Sequence, residues 1–207
     1  MQKIQVGRLL SSNIRSCVVG CPPSQEFPGL GTLVSVPLGA QEAAFGLVSD
    51  IRIEDDGLVR QLATSAQVDE AVIQDNRQNR NVPVEISVLF IGCQQSGKIS
   101  HLLPPRPPLS LDTMYTCDAQ ELVAFTSSGR FGYLRHILEA QPLPGSDLLA
   151  AHLLQAGRVH HSHGSSDWYP RALEALITLL RDDYPRLMSC LGAASDVEQE
   201  LKNSQAG

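Results

Sequence analysis

Up to residue 60 the apolar residues come in short runs broken by glycine and proline. Ile4, Val6 and Leu9-Leu10 lead past Ser11-Ser12-Asn13 to Ile14, and Cys17-Val18-Val19 form a second run. The stretch 21–29 is a loop by its prolines and glycine. Thr32 to Val36 predicts a strand closed by Pro37-Leu38-Gly39, and Ala44 to Ile53 predicts another. Short strands at this spacing point to a small barrel or a sandwich. Leu58, Leu62, Ala66, Val72 and Ile73 then predict one face of a helix over 58–73, and the polar stretch 74–81 predicts an exposed loop or a frayed helix end.

The stretch 82–115 organises the rest. Val84, Ile86, Val88 and Phe90 alternate with Glu85, Ser87 and Leu89, the period of a half-buried strand. Cys93 to Gly97 reads as a short polar loop and Lys98 to Leu103 as the returning strand, so the unit predicts a hairpin with a positive φ at Gly97. Pro104-Pro105-Arg106-Pro107-Pro108 follows in extended form. Met114 to Cys117 predicts a last strand that closes the sheet. Ala119 to Val123 reads as a turn or short helix, with a linker over 126–129.

From residue 130 the spacing becomes helical. Helices are predicted over 131–138, 148–155, 168–182 and 183–191, the second capped by Ser146 or Asp147 and the third by the run Ser165-Ser166-Asp167. Pro170 sits in a first turn, where proline is tolerated. Leu173, Leu176, Ile177 and Leu180 share one face. Residues 195–207 read as a frayed tail. The fold class expected is α+β, with a β unit over 1–118 that carries a helical insertion near 58–80, and a helical module over 119–194.

Charge narrows the function classes. The 207 residues carry a net charge of −6, which argues against a surface that coats nucleic acid. Apolar runs stay short of a membrane helix and the start lacks a signal-peptide core, so a cytoplasmic chain is expected. Cys17, Cys21, Cys93, Cys117 and Cys190 are odd in number and lack metal-site spacing, and read as small core residues.

Gly92 to Lys98 matches the first seven positions of a phosphate-binding loop, which makes Gly92, Gly97 and Lys98 nucleotide-binding candidates. Ile99 stands where the magnesium-holding hydroxyl belongs, however, and the prolines from 104 forbid the helix that must follow. His160, His161 and His163, with Asp167 nearby, are metal candidates by residue type, in what reads as a polar loop. Trp168 and Tyr169 at a helix start read as anchors of a core or an interface. Arg77, Arg80 and Arg106 are the basic positions a nucleic-acid contact would use. Neither a Ser/His/Asp elbow nor a dinucleotide loop is present, so the sequence names no catalytic residue and no cofactor.

Val6-Gly7-Arg8-Leu9-Leu10-Ser11-Ser12, Gly31-Thr32-Leu33-Val34 with Val36-Pro37-Leu38-Gly39, and Phe45-Gly46-Leu47-Val48 resemble the successive strands of the HAS-barrel. That small domain precedes the motor domain of HerA-type ATPases and of ATP synthase catalytic-type subunits. Ile91-Gly92, Gly97-Lys98 and Leu103 to Pro108 resemble its final hairpin and proline-rich exit, so the likeness spans residues 3–118. With its helical end through Leu180 to Tyr184, the chain is similar to stand-alone HAS-barrel proteins of cyanobacteria. No RecA-like ATPase domain follows the barrel here, so no catalytic residue of the family carries over. The resemblance implies an adaptor that docks on protein partners, a HerA-like motor or a NurA-type nuclease, or on copies of itself. Arg106, Pro107, Pro108, Trp168 and Tyr169 are the contact residues expected. Nucleotide binding at Gly92 to Lys98 and nucleic-acid binding remain the alternatives.

Overall fold

The computed structural model describes residues 2–22, 25–54, 59, 62, 64–65, 69–78, 83–140 and 145–205. Among the described residues seven strands form one antiparallel sheet: β1 (Gln5–Ser12), β2 (Ser16–Cys21), β3 (Leu33–Gly39), β4 (Glu42–Arg52), β5 (Val84–Gln95), β6 (Lys98–Ser100) and β7 (Thr113–Thr116). Their order is β2-β1-β7-β3-β4-β5-β6, and β2 also pairs with β5. Six strands therefore close into a barrel, which removes the open edges that would invite aggregation. The expected last strand does close the sheet: β7 lies between β1 and β3, with Tyr115 opposite both Gln5 and Ser35.

Alternation sets the barrel interior. Val84, Ile86, Val88 and Phe90 point inward from β5 and meet Val6, Leu9, Val19, Val36 and Met114 in one apolar core. Glu85, Ser87 and Leu89 face outward, half-buried. Opposite them, Phe45 pairs with Gly92 but Gly46 pairs with Phe90, so Ile91 is an extra residue in a bulge. The bulge aims both Ile91 and Gly92 at the helices outside the barrel.

Among the described residues the helices are α1 (Glu70–Gln78), α2 (Ala119–Ser127), α3 (Leu134–Glu139), α4 (Gly145–Ser162), α5 (Trp168–Leu179) and α6 (Tyr184–Gln205), with a 3-10 turn at Gly129–Phe131. Except for α1, they gather on the outer face of β3, β4 and β5. Leu33, Phe45, Leu47 and Ile91 from the strands share one core with Leu122, Phe125, Tyr133, Leu149 and Leu153. These strands are thus buried on both sides.

Several boundaries differ from the sequence reading. Of the helix expected over 58–73, residues 59, 62, 64 and 70–73 are helical, residues 65 and 69 are not, and Leu58 and Ala66 lie outside the described residues; the helix at 70–78 also takes in part of the polar stretch. Of the linker expected over 126–129, Thr126 and Ser127 end α2, Ser128 caps it and Gly129 opens a 3-10 turn. Asp118 accepts from the Glu121 N–H at 2.8 Å and Glu121 accepts from the Asp118 N–H at 3.1 Å, a capping box that starts the helix firmly. The helix expected over 131–138 is shorter, because Arg130 and Phe131 take left-handed backbone before α3 begins. In α4, Gly157 does not stop the helix; it lets α6 come close, since a Cβ there would stand 3.0 Å from Leu201. At the expected Ser165-Ser166-Asp167 cap, Asp167 is the N-cap but its side chain makes no capping hydrogen bond; it pairs instead with Arg171 at 3.5 Å.

The frayed tail is also overturned. α6 runs on to Gln205, and Ala194, Val197 and Leu201 are buried against α4 and α5. Deleting residues 195–207 therefore removes two large core side chains, Val197 and Leu201, each worth about 1.5–3 kcal/mol of burial. A chemical denaturation curve of the truncated chain should show a loss of about 3–5 kcal/mol. An unchanged midpoint would make the tail the loose end that the sequence suggests.

Candidate functional site

The candidate nucleotide loop is strand, turn and strand. Ser96 and Gly97, at φ 48° and 78°, form the two-residue turn between β5 and β6, as a type I′ hairpin requires. The hairpin and its positive φ at Gly97 match the sequence reading, although Cys93 to Gln95 belong to the strand rather than the loop, and β6 ends at Ser100 rather than Leu103. Gly92 is a ladder residue opposite Phe45. Lys98 lies exposed beyond the turn. The backbone N–H groups are laid out along a ladder, and no helix follows to turn its N-terminus on a phosphate.

The three candidate histidines diverge. His160 lies in the last turn of α4 rather than in a loop, buried. Its Nε2 sits 2.7 Å from Thr126 Oγ1 and its ring stacks on Trp168 at 4.5 Å. Burial holds its pKa down, to about 4. His161 and His163 are exposed, and His163 Nδ1 bonds to the Val159 carbonyl at 2.9 Å. Among the described residues no group of three or more His, Cys, Asp or Glu is placed to hold a metal ion.

Trp168 and Tyr169 act inside the helical module. Trp168 packs on Phe131 and His160, and the Tyr169 hydroxyl donates to the Ala194 carbonyl at 2.6 Å, which ties α5 to α6. Arg106 reaches the Leu38 carbonyl at 3.0 Å and the Glu42 carboxylate at 3.2 Å from an exposed position. Pro107 is half-buried and Pro108 buried. Arg77 falls in α1, and Arg80 lies outside the described residues. All five cysteines are free and buried. Among the described residues no helix is long and apolar enough to cross a membrane.

Two features escaped the sequence reading. The first is a buried polar seam where barrel and helices meet. His152 Nδ1 lies 3.2 Å from the Gly31 carbonyl, which can only accept, so this nitrogen carries the proton. Nε2 then accepts from the Tyr133 hydroxyl at 3.2 Å. Tyr133 packs edge-on against His101 at 5.0 Å, and His101 Nε2 meets the Phe125 carbonyl at 3.1 Å. Burial keeps both histidines neutral, His152 down to about 4. The seam joins residues from four distant stretches, so no local spacing betrays it.

The second is a cleft of about 440 Å³ between the outer wall of β2 and β5 and the end of α3. Val18, Leu89 and Leu103 are among the apolar groups in its lining. Arg15 from the β1–β2 turn lines it, as do His136 and Glu139 from α3. Arg15 lies far in sequence from His136 and Glu139, and nothing in their local patterns marks them.

The fold and these sites define a barrel with a helical module docked on one face. No protein-family model matches the chain, and no curated protein matches it.

Proposed function

We propose that the chain is a HAS-like barrel adaptor that works by protein contact, with a HerA-like motor ATPase or its NurA-type nuclease as partner. Six antiparallel strands closed into a barrel, with helices docked on its outer face, agree with that reading. The observation that carries it is the strap over 104–112. The strap is pinned to β1: the Leu111 N–H donates to the Leu9 carbonyl at 2.8 Å, and Arg8 donates to the Leu111 carbonyl at 3.1 Å. Ser12 holds the Pro108 carbonyl, and Asp112 accepts from the Leu109 N–H at 2.8 Å. This rigid strap nevertheless leaves Leu109 and Leu111 72% and 67% exposed.

Leu111 also sits at φ 71°, a left-handed position that costs a leucine about 1–2 kcal/mol. Apolar side chains held out in fixed geometry lose little entropy on docking, which is what a contact surface needs. The test uses the doubly substituted chain Leu109→Asp/Leu111→Asp. Aspartate tolerates positive φ and both sites are exposed, so folding should survive. Mixed with a purified HerA-type ATPase, the unaltered chain should co-elute in gel filtration and the variant should not. Failure to co-elute, or co-elution that the variant retains, overturns the reading.

A further inference from the structure

The cleft beside α3 takes no part in the strap's contacts, and its charges are arranged as two halves of a recognition site. Arg15 forms one half. Its backbone is fixed, because Asn13 Oδ1 accepts from the Arg15 N–H at 2.7 Å and from the Ser16 N–H at 3.1 Å, and the Phe90 N–H donates to the Arg15 carbonyl at 2.8 Å. Its guanidinium meets no carboxylate within ion-pair distance among the described residues. A rigid turn thus offers a planar, five-donor cation at the cleft without a partner.

The other half lies on α3. His136 Nε2 is 2.9 Å from the His101 carbonyl, which can only accept, so Nε2 holds the proton and Nδ1 presents a lone pair. Burial lowers the His136 pKa, and the nearby Arg135 and Arg15 add to that, while Glu139 opposes it. The imidazole therefore stays a neutral acceptor. Glu139, the last residue of α3, has no cation within ion-pair distance among the described residues. Arg15 and Glu139 both lie close enough to bias the same imidazole in opposite senses, and yet they do not pair with each other.

The rest of the lining mixes apolar Val18, Leu89 and Leu103 with the small polar Ser16, Ser49 and Ser87. The volume of about 440 Å³ falls within the roughly 300–1,000 Å³ of small-ligand sites. We propose that this cleft binds a free amino acid with an apolar side chain. Its carboxylate meets Arg15, its ammonium meets Glu139 and the His136 lone pair, and its side chain covers Val18 and Leu89. A carboxylate alone would leave Glu139 unanswered, and an amine alone would leave Arg15 unanswered.

L-Leucine is the probe, at millimolar concentration, with 4-methylpentanoate and isoamylamine as carboxylate-only and amine-only controls. The readout is the melting temperature, which a ligand of the native state must raise, together with amide NMR shifts at Arg15, Leu89 and His136. L-Leucine should raise the melting temperature and move those signals, and both controls should fail. Arg15→Gln and Glu139→Gln should each lose about tenfold or more in affinity with their ligand-free melting unchanged, because both side chains are exposed. The proposal falls if L-leucine, L-methionine and L-phenylalanine leave the protein unchanged. It falls equally if either control binds as well as the amino acid, or if both variants bind as the unaltered chain does. None of these outcomes bears on the strap, whose partner is read by a separate experiment.

Discussion

Gly92→Ala should destabilise the chain by about 3 kcal/mol or more, while Lys98→Ala should stay within about 0.5 kcal/mol. A Cβ on Gly92 would stand 2.7 Å from the Phe125 ring and 2.7 Å from the Ser100 carbonyl. Neither neighbour can give way. The ring is boxed in by Phe45 at 4.9 Å, His101 at 4.9 Å and Tyr133 at 5.6 Å. Ser100 is held in register opposite Cys93. Forcing a methyl group into such a packed junction displaces backbone and aromatic core together. Lys98 touches nothing of that kind at its exposed site beyond the turn. A phosphate-binding loop would give the reverse ranking, with Lys98 governing nucleotide retention and Gly92 governing little else. Urea unfolding of the two variants checks the order. A mild Gly92→Ala beside a Lys98→Ala that abolishes stabilisation by magnesium nucleotide would restore the nucleotide reading.

The same glycine shows how far the sequence could be read. The barrel was legible because period two is a local property: Val84 to Phe90 alternate in the chain and alternate in the structure. Turn chemistry is local too, so Ser96-Gly97 falls where a hairpin must turn. The proline block excluded a helix after Lys98 by sterics alone. What failed was set by tertiary contact. Gly157 looks like a stop signal until Leu201 is seen to need the space above it. Val197 and Leu201 look like a loose end because their partners lie on α4, some forty residues back in the chain. His160 looked like a loop ligand because nothing near it in sequence announces that Thr126 and Trp168 enclose it.

The candidate site was less legible still. Its parts obey no common period, since Arg15 comes from a turn between strands and His136 and Glu139 from a helix of six residues. One clue was present in composition. Histidines on an otherwise apolar helical stretch are often buried with a partner, and His152 and His160 on α4 are both of that kind.

Acid should therefore unfold the chain well before its carboxylates are all protonated. His152 is buried, and burial lowers its pKa from 6.5 to about 4. The unfolded chain takes up that proton near 6.5, whereas the folded chain refuses it until about 4. Across this window the unfolded state binds more protons, so stability falls as pH falls and is unaffected by His152 above it. At 1.36 kcal/mol per unit, this one group removes about 3 kcal/mol, a large share of the roughly 5–15 kcal/mol that holds a domain together. His160 shifts in the same direction, as do His101 and His136, which steepens the fall. Urea midpoints taken at about pH 7 and about pH 4.5 should differ sharply. In His152→Gln the amide can still donate to the Gly31 carbonyl but cannot titrate. That variant should start lower and lose less between the two pH values. Equal midpoints in the unaltered chain would mean that the seam admits the proton without unfolding. An unchanged slope in His152→Gln would move the acid sensitivity to the other three rings. Because His152 bonds to both the Gly31 loop of the barrel and Tyr133 of the helical module, charging it opens the junction between them first. Barrel and helices should then lose their mutual packing in a single step with the proton.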